Sequence, residues 1–192
     1  DERVLGWDIW NEPDNTNDNA YGKVELPNKA NYVLPLMKKA FGWARAESPT
    51  QPLTVGLWAG DWTSYETLKP IEKLSVDESD VISFHNYDNA VEFEKRIKQL
   101  QQYKRPILCT EYMSRGNGSF FEGSLPIAKK YNVAAINWGL VDGKSQTKYP
   151  WDSWKKPYDN EPALWFHDVF RKDGTAYKQA EVDLIKKLTS EK

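Results

Sequence analysis

Five short apolar runs constrain this chain more than any other feature of it. They occupy residues 4–10, 53–56, 81–85, 107–110 and 134–138, and their first residues fall 49, 28, 26 and 27 positions apart. Each is too short for a helix and rich in Val and Ile, as strands buried on both faces are. One strand with its crossover helix takes about 30 residues, so the spacing predicts consecutive βα units. The segments between the runs carry helical patterns. Val33, Met37, Ala40, Phe41 and Ala44 share one face, and the regular helix there is expected to start near Pro35 and to stop before Pro49. Phe93, Ile97 and Leu100 line a second helix whose charged residues face water. Residues 164–170 and 177–188 complete the predicted helices. No linker or low-complexity tract interrupts the chain. Residues 1–192 therefore read as one α/β domain with a parallel sheet, either open and doubly wound or closed into a barrel.

In both architectures function gathers at the C-terminal ends of the strands. The first run ends in Trp10-Asn11-Glu12-Pro13 and the fourth in Thr110-Glu111-Tyr112. A carboxylate at the end of an apolar strand is costly to desolvate unless it is hydrogen-bonded or employed. Either Glu alone could pair with an Arg or cap the next helix. Two of them, three repeats apart, point to acid/base or nucleophilic work, of the kind that cleaves a glycosidic bond. His85 and Tyr87, in Ser83-Phe84-His85-Asn86-Tyr87, fall between the two Glu-bearing strands and join them as candidate site residues. His167, in Trp165-Phe166-His167-Asp168, reads as a structural residue of a late helix. Cys109, two residues before Glu111, reads as a small buried hydrophobe.

Composition narrows the ligand class. The chain holds 9 Trp, 10 Tyr and 7 Phe, more aromatic surface than packing alone asks for, and a Trp face with a polar edge suits a sugar ring. Trp138 ends the last run. Trp151 and Trp154 lie in the long segment 139–159, where they either wall a cleft or pin the loop, and Trp58 and Trp62 carry the same two readings after the second run. Lys plus Arg is 26 against 28 for Asp plus Glu, a balance that argues against a nucleic-acid face or an anionic-membrane anchor. A single cysteine excludes an internal disulfide and a cysteine-based zinc site. Residues 139–145 imitate a phosphate loop with the wrong glycine spacing, and residues 14–22 lack the pattern of a calcium loop. No Gly-x-Ser-x-Gly elbow of a serine hydrolase is present.

The ordered set of strand-end residues resembles the clan of retaining (β/α)8 glycoside hydrolases, and within it the cellulase-like family 5. The resemblance implies that Glu12, in Asn-Glu-Pro, is the acid/base and Glu111 the nucleophile. It implies that Asn11 binds the sugar 2-hydroxyl, that His85 and Tyr87 match a sixth-strand His-x-Tyr pair that steadies the nucleophile, and that Trp138 is the eighth-strand platform beneath the cleaved sugar. Trp151 and Trp154 join it as substrate-binding candidates. A retaining mechanism sets its carboxyl groups about 5 to 5.5 Å apart. Its acid must be protonated before attack, so the site is expected to raise the pKa of Glu12, with ionised Glu111 as the cause.

The expected function is therefore cleavage of β-glycosidic bonds in a poly- or oligosaccharide by double displacement, with a carbohydrate substrate and no metal or organic cofactor. The alternative is a non-catalytic carbohydrate-binding barrel fragment, against which the two Glu speak. The resemblance also implies a secreted or periplasmic protein. The matched strands are the fourth to eighth of the family barrel, so the fold is expected to be a TIM-barrel type that is incomplete, with five βα units. Two open sheet edges would follow, and with them self-association or dependence on an upstream segment that completes the barrel.

Overall fold

The computed structural model describes residues 1–190. Strands and helices alternate along the chain: β1 (Trp7–Asp8), α1 (Asp18–Tyr21), α2 (Lys29–Ala46), β2 (Leu53–Thr54), α3 (Pro70–Glu78), β3 (Ile82–Asn86), α4 (Ala90–Leu100), β4 (Ile107–Tyr112), α5 (Phe121–Lys130), β5 (Ala134–Ala135) and α6 (Gln179–Ser190). The five apolar runs thus supply the five strands of an α/β alternation. The chain forms two compact units, one of Asp1–His85 with Lys98–Leu108, the other of Asn86–Ile97 with the residues from Cys109 onward. No helix among the described residues is long and apolar enough to cross a membrane.

In the first unit β1 and β2 pair in parallel, with Trp7 opposite Leu53 and Asp8 opposite Thr54. The Trp7 N–H donates to Pro52 O (2.9 Å) and the Ile9 N–H to Thr54 O (2.8 Å). Beyond β2, Leu57 makes a parallel bridge to Phe84, and the Ile82 N–H donates to Pro106 O, which sets β3 beside the opening of β4. The core is the face of α2 laid on β2: Val33, Met37 and Phe41 close on Leu53, Val55 and Ile71. Those three α2 residues recur at a spacing of four, so the helical period itself delivers them to the sheet.

In the second unit the Ile136 N–H donates to Cys109 O (2.8 Å), which sets β5 beside β4. Trp165 is fully buried and stacks on Tyr177 with ring centroids 4.6 Å apart. The Arg115 guanidinium lies 4.9 Å from the Tyr177 ring and pairs with Glu181 of α6 through a 2.9 Å and a 2.5 Å contact. Both charges are essentially dry, at 0% and 1% exposure. The same guanidinium donates to the carbonyls of Trp165 and Asp168, so one arginine ties α6 to the loop that precedes it.

The structure corrects several expectations. Residues 164–170 are not helical. The Trp165, Phe166 and Asp168 carbonyls are taken by Arg115, and the Phe170 carbonyl accepts the Asp142 N–H, so they do not serve a helical ladder. The helix expected near Pro35 starts six residues earlier, at Lys29, and holds Pro35 inside it at an exposed position. Pro35 there forfeits one backbone hydrogen bond, a loss that burial of Val33, Met37 and Phe41 outweighs. The first run forms a strand only at Trp7–Asp8, and both residues are exposed. The Asp8 carboxylate takes the Trp10 N–H at 3.3 Å. Trp62 is fully buried against Phe84, so it packs rather than walls a cleft.

Breaking a dry ion pair leaves an uncompensated charge, which typically costs about 3–5 kcal/mol, whereas replacing both partners with apolar groups is near neutral. Arg115→Met should therefore lower the urea midpoint by that equivalent, and Arg115→Met with Glu181→Leu should recover most of it. A single variant as stable as the parent would show that the pair does not hold α6.

Candidate active site

Glu12 belongs to the first unit. Its backbone sits in the left-handed region, at φ 43°, a conformation that costs a non-glycine residue about 1 kcal/mol or more and collects at functional positions. Pro13 follows and begins a turn closed by the Asn15 N–H on Glu12 O at 3.0 Å. That turn returns the Asn15 side-chain amide onto the Glu12 carboxylate. His85 Nδ1 meets the other carboxylate oxygen at 2.7 Å, with the ring almost wholly buried. Space for that ring depends on Gly56, where an added Cβ would lie 2.9 Å from His85 Nε2. Lys29, the first residue of α2, holds the turn from outside by donating to Asn15 O at 2.7 Å.

These contacts overturn the expected pKa. Burial raises the Glu12 pKa, but hydrogen bonds from His85 and Asn15, with the attraction of His85 and Lys29, outweigh it and hold the carboxyl below its usual range. Within its own unit Glu12 is a stabilised carboxylate. Asn11, beside it, is exposed.

Glu111 belongs to the second unit and ends β4 at 8% exposure. The Tyr87 hydroxyl, one residue past the end of β3, donates to Glu111 Oε2 at 2.8 Å. The Cys109 thiol donates to the Glu111 carbonyl at 3.2 Å, and burial pushes that thiol well above its usual pKa, so it is inert as a nucleophile. Tyr87 stands edge-on to Trp151, with centroids 5.2 Å apart, and to His167, at 5.4 Å. The Trp151 indole N–H donates to His167 Nε2 at 3.1 Å. Trp151 therefore joins the Tyr87–Glu111 pair. Trp154 ends the same short 3₁₀ turn, and Trp138 lies just past β5; each is 52% exposed.

No protein-family model matches the chain, and no curated protein does either. Among solved structures it is similar to the hyperthermostable endo-1,4-β-D-mannanase from Thermotoga petrophila RKU-1. The identity is 12% and the TM-score 0.60, over 98% of this chain and 57% of that enzyme. It is also similar to the endo-β-1,4-mannanase structure from Thermotoga petrophila, at 16% identity and a TM-score of 0.54, over 83% of this chain and 40% of the other. What is shared is the fold. An α/β alternation with parallel strand pairing here matches part of a TIM barrel, and the chain spans little more than half of the longer match.

Within that fold, two kinds of residue escaped the sequence. Asn15 was legible in principle, because Pro13 favours the second place of a turn, and the fourth residue of the turn that Glu12 opens is Asn15. His167 was hidden by the helical reading of residues 164–170. It is buried on a loop instead, and its Nδ1–H donates to Met113 O at 2.8 Å.

Burial is the main cause that pushes the His167 pKa down to about 4 from 6.5; the Arg115 charge adds to it and the Met113 hydrogen bond opposes it. The folded chain therefore binds this proton more weakly than the unfolded chain. Its stabilisation is complete above pH 6.5 and is lost as the pH falls toward 4, a loss of about 3 kcal/mol at most. Urea unfolding at pH 7, 5.5 and 4.5 should show that slope, and His167→Gln should flatten it. An unchanged slope in the variant would assign it to another group.

Proposed function

We propose that this chain carries the two catalytic carboxylates of a retaining β-glycoside hydrolase. The observation that carries the reading is Glu111, a nearly buried strand-end carboxylate with a phenol donating to one of its oxygens. Such a group has a defined orientation, as an attacking carboxylate requires. In the first step a Glu111 oxygen bonds to the anomeric carbon as the glycosidic C–O bond breaks. The leaving oxygen takes the proton of Glu12. In the second step Glu12 takes a proton from water, the water oxygen bonds to the anomeric carbon, and Glu111 leaves as a carboxylate. The Tyr87 hydroxyl stabilises Glu111 when it is charged, at the start and end of the cycle.

Asn11, Trp138, Trp151 and Trp154 are the sugar-binding candidates in this reading, with His85 as the partner of the acid/base. The substrate class is a β-linked polysaccharide or its oligosaccharides. Similarity of fold to two β-1,4-mannanase structures makes β-1,4-mannan the first polymer to test, ahead of cellulose.

The test is made in any form of the protein that hydrolyses a glycoside. Glu111→Gln should lower kcat by about 1000-fold or more, and azide should restore Glu111→Ala by forming a glycosyl azide of inverted configuration. Near-parental turnover in Glu111→Gln would remove Glu111 from the nucleophile role. The depressed pKa of Glu12 makes a second expectation. The acid form is lost early as pH rises, so kcat/KM for substrates with poor leaving groups should fall as the pH rises above its optimum. His85→Ala removes a hydrogen bond that lowers that pKa and should move the alkaline limb to higher pH. A limb that stays in place, or moves down, would contradict Glu12 as the acid.

A further inference from the structure

We infer that His167 is a positioning residue that locks Tyr87 and Trp151 into one unit and, through Tyr87, sets the orientation and charge of Glu111. The geometric part stands on the second unit alone; its catalytic consequence rests on the function proposed above. The tautomer follows from the partners. Met113 O can only accept, so Nδ1 must carry the proton it donates across 2.8 Å. The Trp151 indole can only donate, so Nε2 must be bare to accept across 3.1 Å. One neutral imidazole therefore reads two different groups and satisfies both, and neither a charged nor an Nε2–H ring would fit. Its fully buried position makes either error expensive.

What the two bonds connect gives the residue its role. Met113 is two residues past Glu111 and holds the left-handed region, at φ 65°, where the chain leaves β4. His167 clamps the carbonyl of that strained residue. On its other side it fixes the rotation of the Trp151 ring, which meets the Tyr87 ring nearly at right angles, while Tyr87 also packs on His167 itself. The Tyr87 hydroxyl then reaches Glu111 Oε2. The loop that presents His167 is held from behind. Asn137 donates to the His167 carbonyl at 3.1 Å, and Arg115 donates to the carbonyls at Trp165 and Asp168. Gly139 allows this approach, because a Cβ there would come within 2.9 Å of the His167 Cβ. A histidine kept only for packing would need neither nitrogen.

Side-chain NMR of the intact protein tests the inference without any substrate. Long-range ¹⁵N correlations should show His167 as the Nδ1–H tautomer, with its Nε2 unprotonated at pH 7. In His167→Phe, which keeps a ring but neither bond, the Trp151 indole N–H resonance should move, as assigned by its loss in Trp151→Phe. The ¹³C-carboxyl titration of Glu111 should shift to higher pH in the same variant, because the phenol donor is no longer held on it. Should that variant fail to fold, His167→Gln serves, since its amide can keep one bond and is expected to give a smaller shift of the same sign. In an active form, His167→Phe should lower kcat by about tenfold or more with KM changed less than threefold, and His167→Gln should recover part of the loss. An Nε2–H tautomer, or a Glu111 titration identical in parent and variants, would overturn the inference. Absence of hydrolysis from every form would count against the proposed function and leave the NMR result to decide the role of His167.

Discussion

A carboxylate buried at the end of a strand must find donors, because stripping its water without replacing those hydrogen bonds costs several kcal/mol. The second unit can be understood as the answer to that demand at Glu111. Tyr87 provides the donor, Trp151 and His167 hold Tyr87, and Met113 and the loop around His167 hold them in turn. Arg115 anchors that loop, and Glu181 neutralises Arg115. A catalytic carboxylate gains from such support, since its attacking oxygen must be aimed before the substrate arrives.

Glu12 meets the same demand differently. Its φ of 43° turns the side chain out of the strand direction, and a proline turn folds Asn15 back over it. His85 supplies the strongest opposing influence to burial, so the carboxylate form is favoured. The two carboxylates thus differ in kind: one rests on a phenol, the other on an imidazole and an amide. In a double-displacement cycle only one of them must exchange protons in both steps, and a hydrogen-bonded, titratable neighbour suits that one.

The spacing of the apolar runs was enough to read the α/β alternation; burial on both faces leaves a continuous hydrophobic signature in β2 and β3, while β1 is exposed, and the strands pair as β1-β2 and β3-β4-β5. The strand-end position of Glu111 was equally legible, as was the place of Tyr87 at the exit of β3, whereas Glu12, expected at a strand end, lies in a turn four residues beyond β1. The hidden parts depend on contacts between residues far apart in the sequence or on a local turn. Arg115 claimed the carbonyls of residues that look helical, and the α2 core kept a helix running through Pro35. The lowered pKa of Glu12 was invisible for the same reason, since the turn that delivers Asn15 and the placement of His85 are tertiary facts.

The central claim is that Glu111 forms a covalent bond to sugar, and trapping that bond tests it most directly. A 2-deoxy-2-fluoro-β-mannosyl or β-cellobiosyl substrate with an activated leaving group slows both steps but the second more, so the glycosyl-enzyme accumulates. Intact-mass spectrometry of the active protein should then show one added fluorosugar, and peptide mapping should place it on Glu111, with no label in Glu111→Gln. A label on any other residue, or unlabelled protein that turns over its substrate with inversion at the anomeric carbon, would contradict the account.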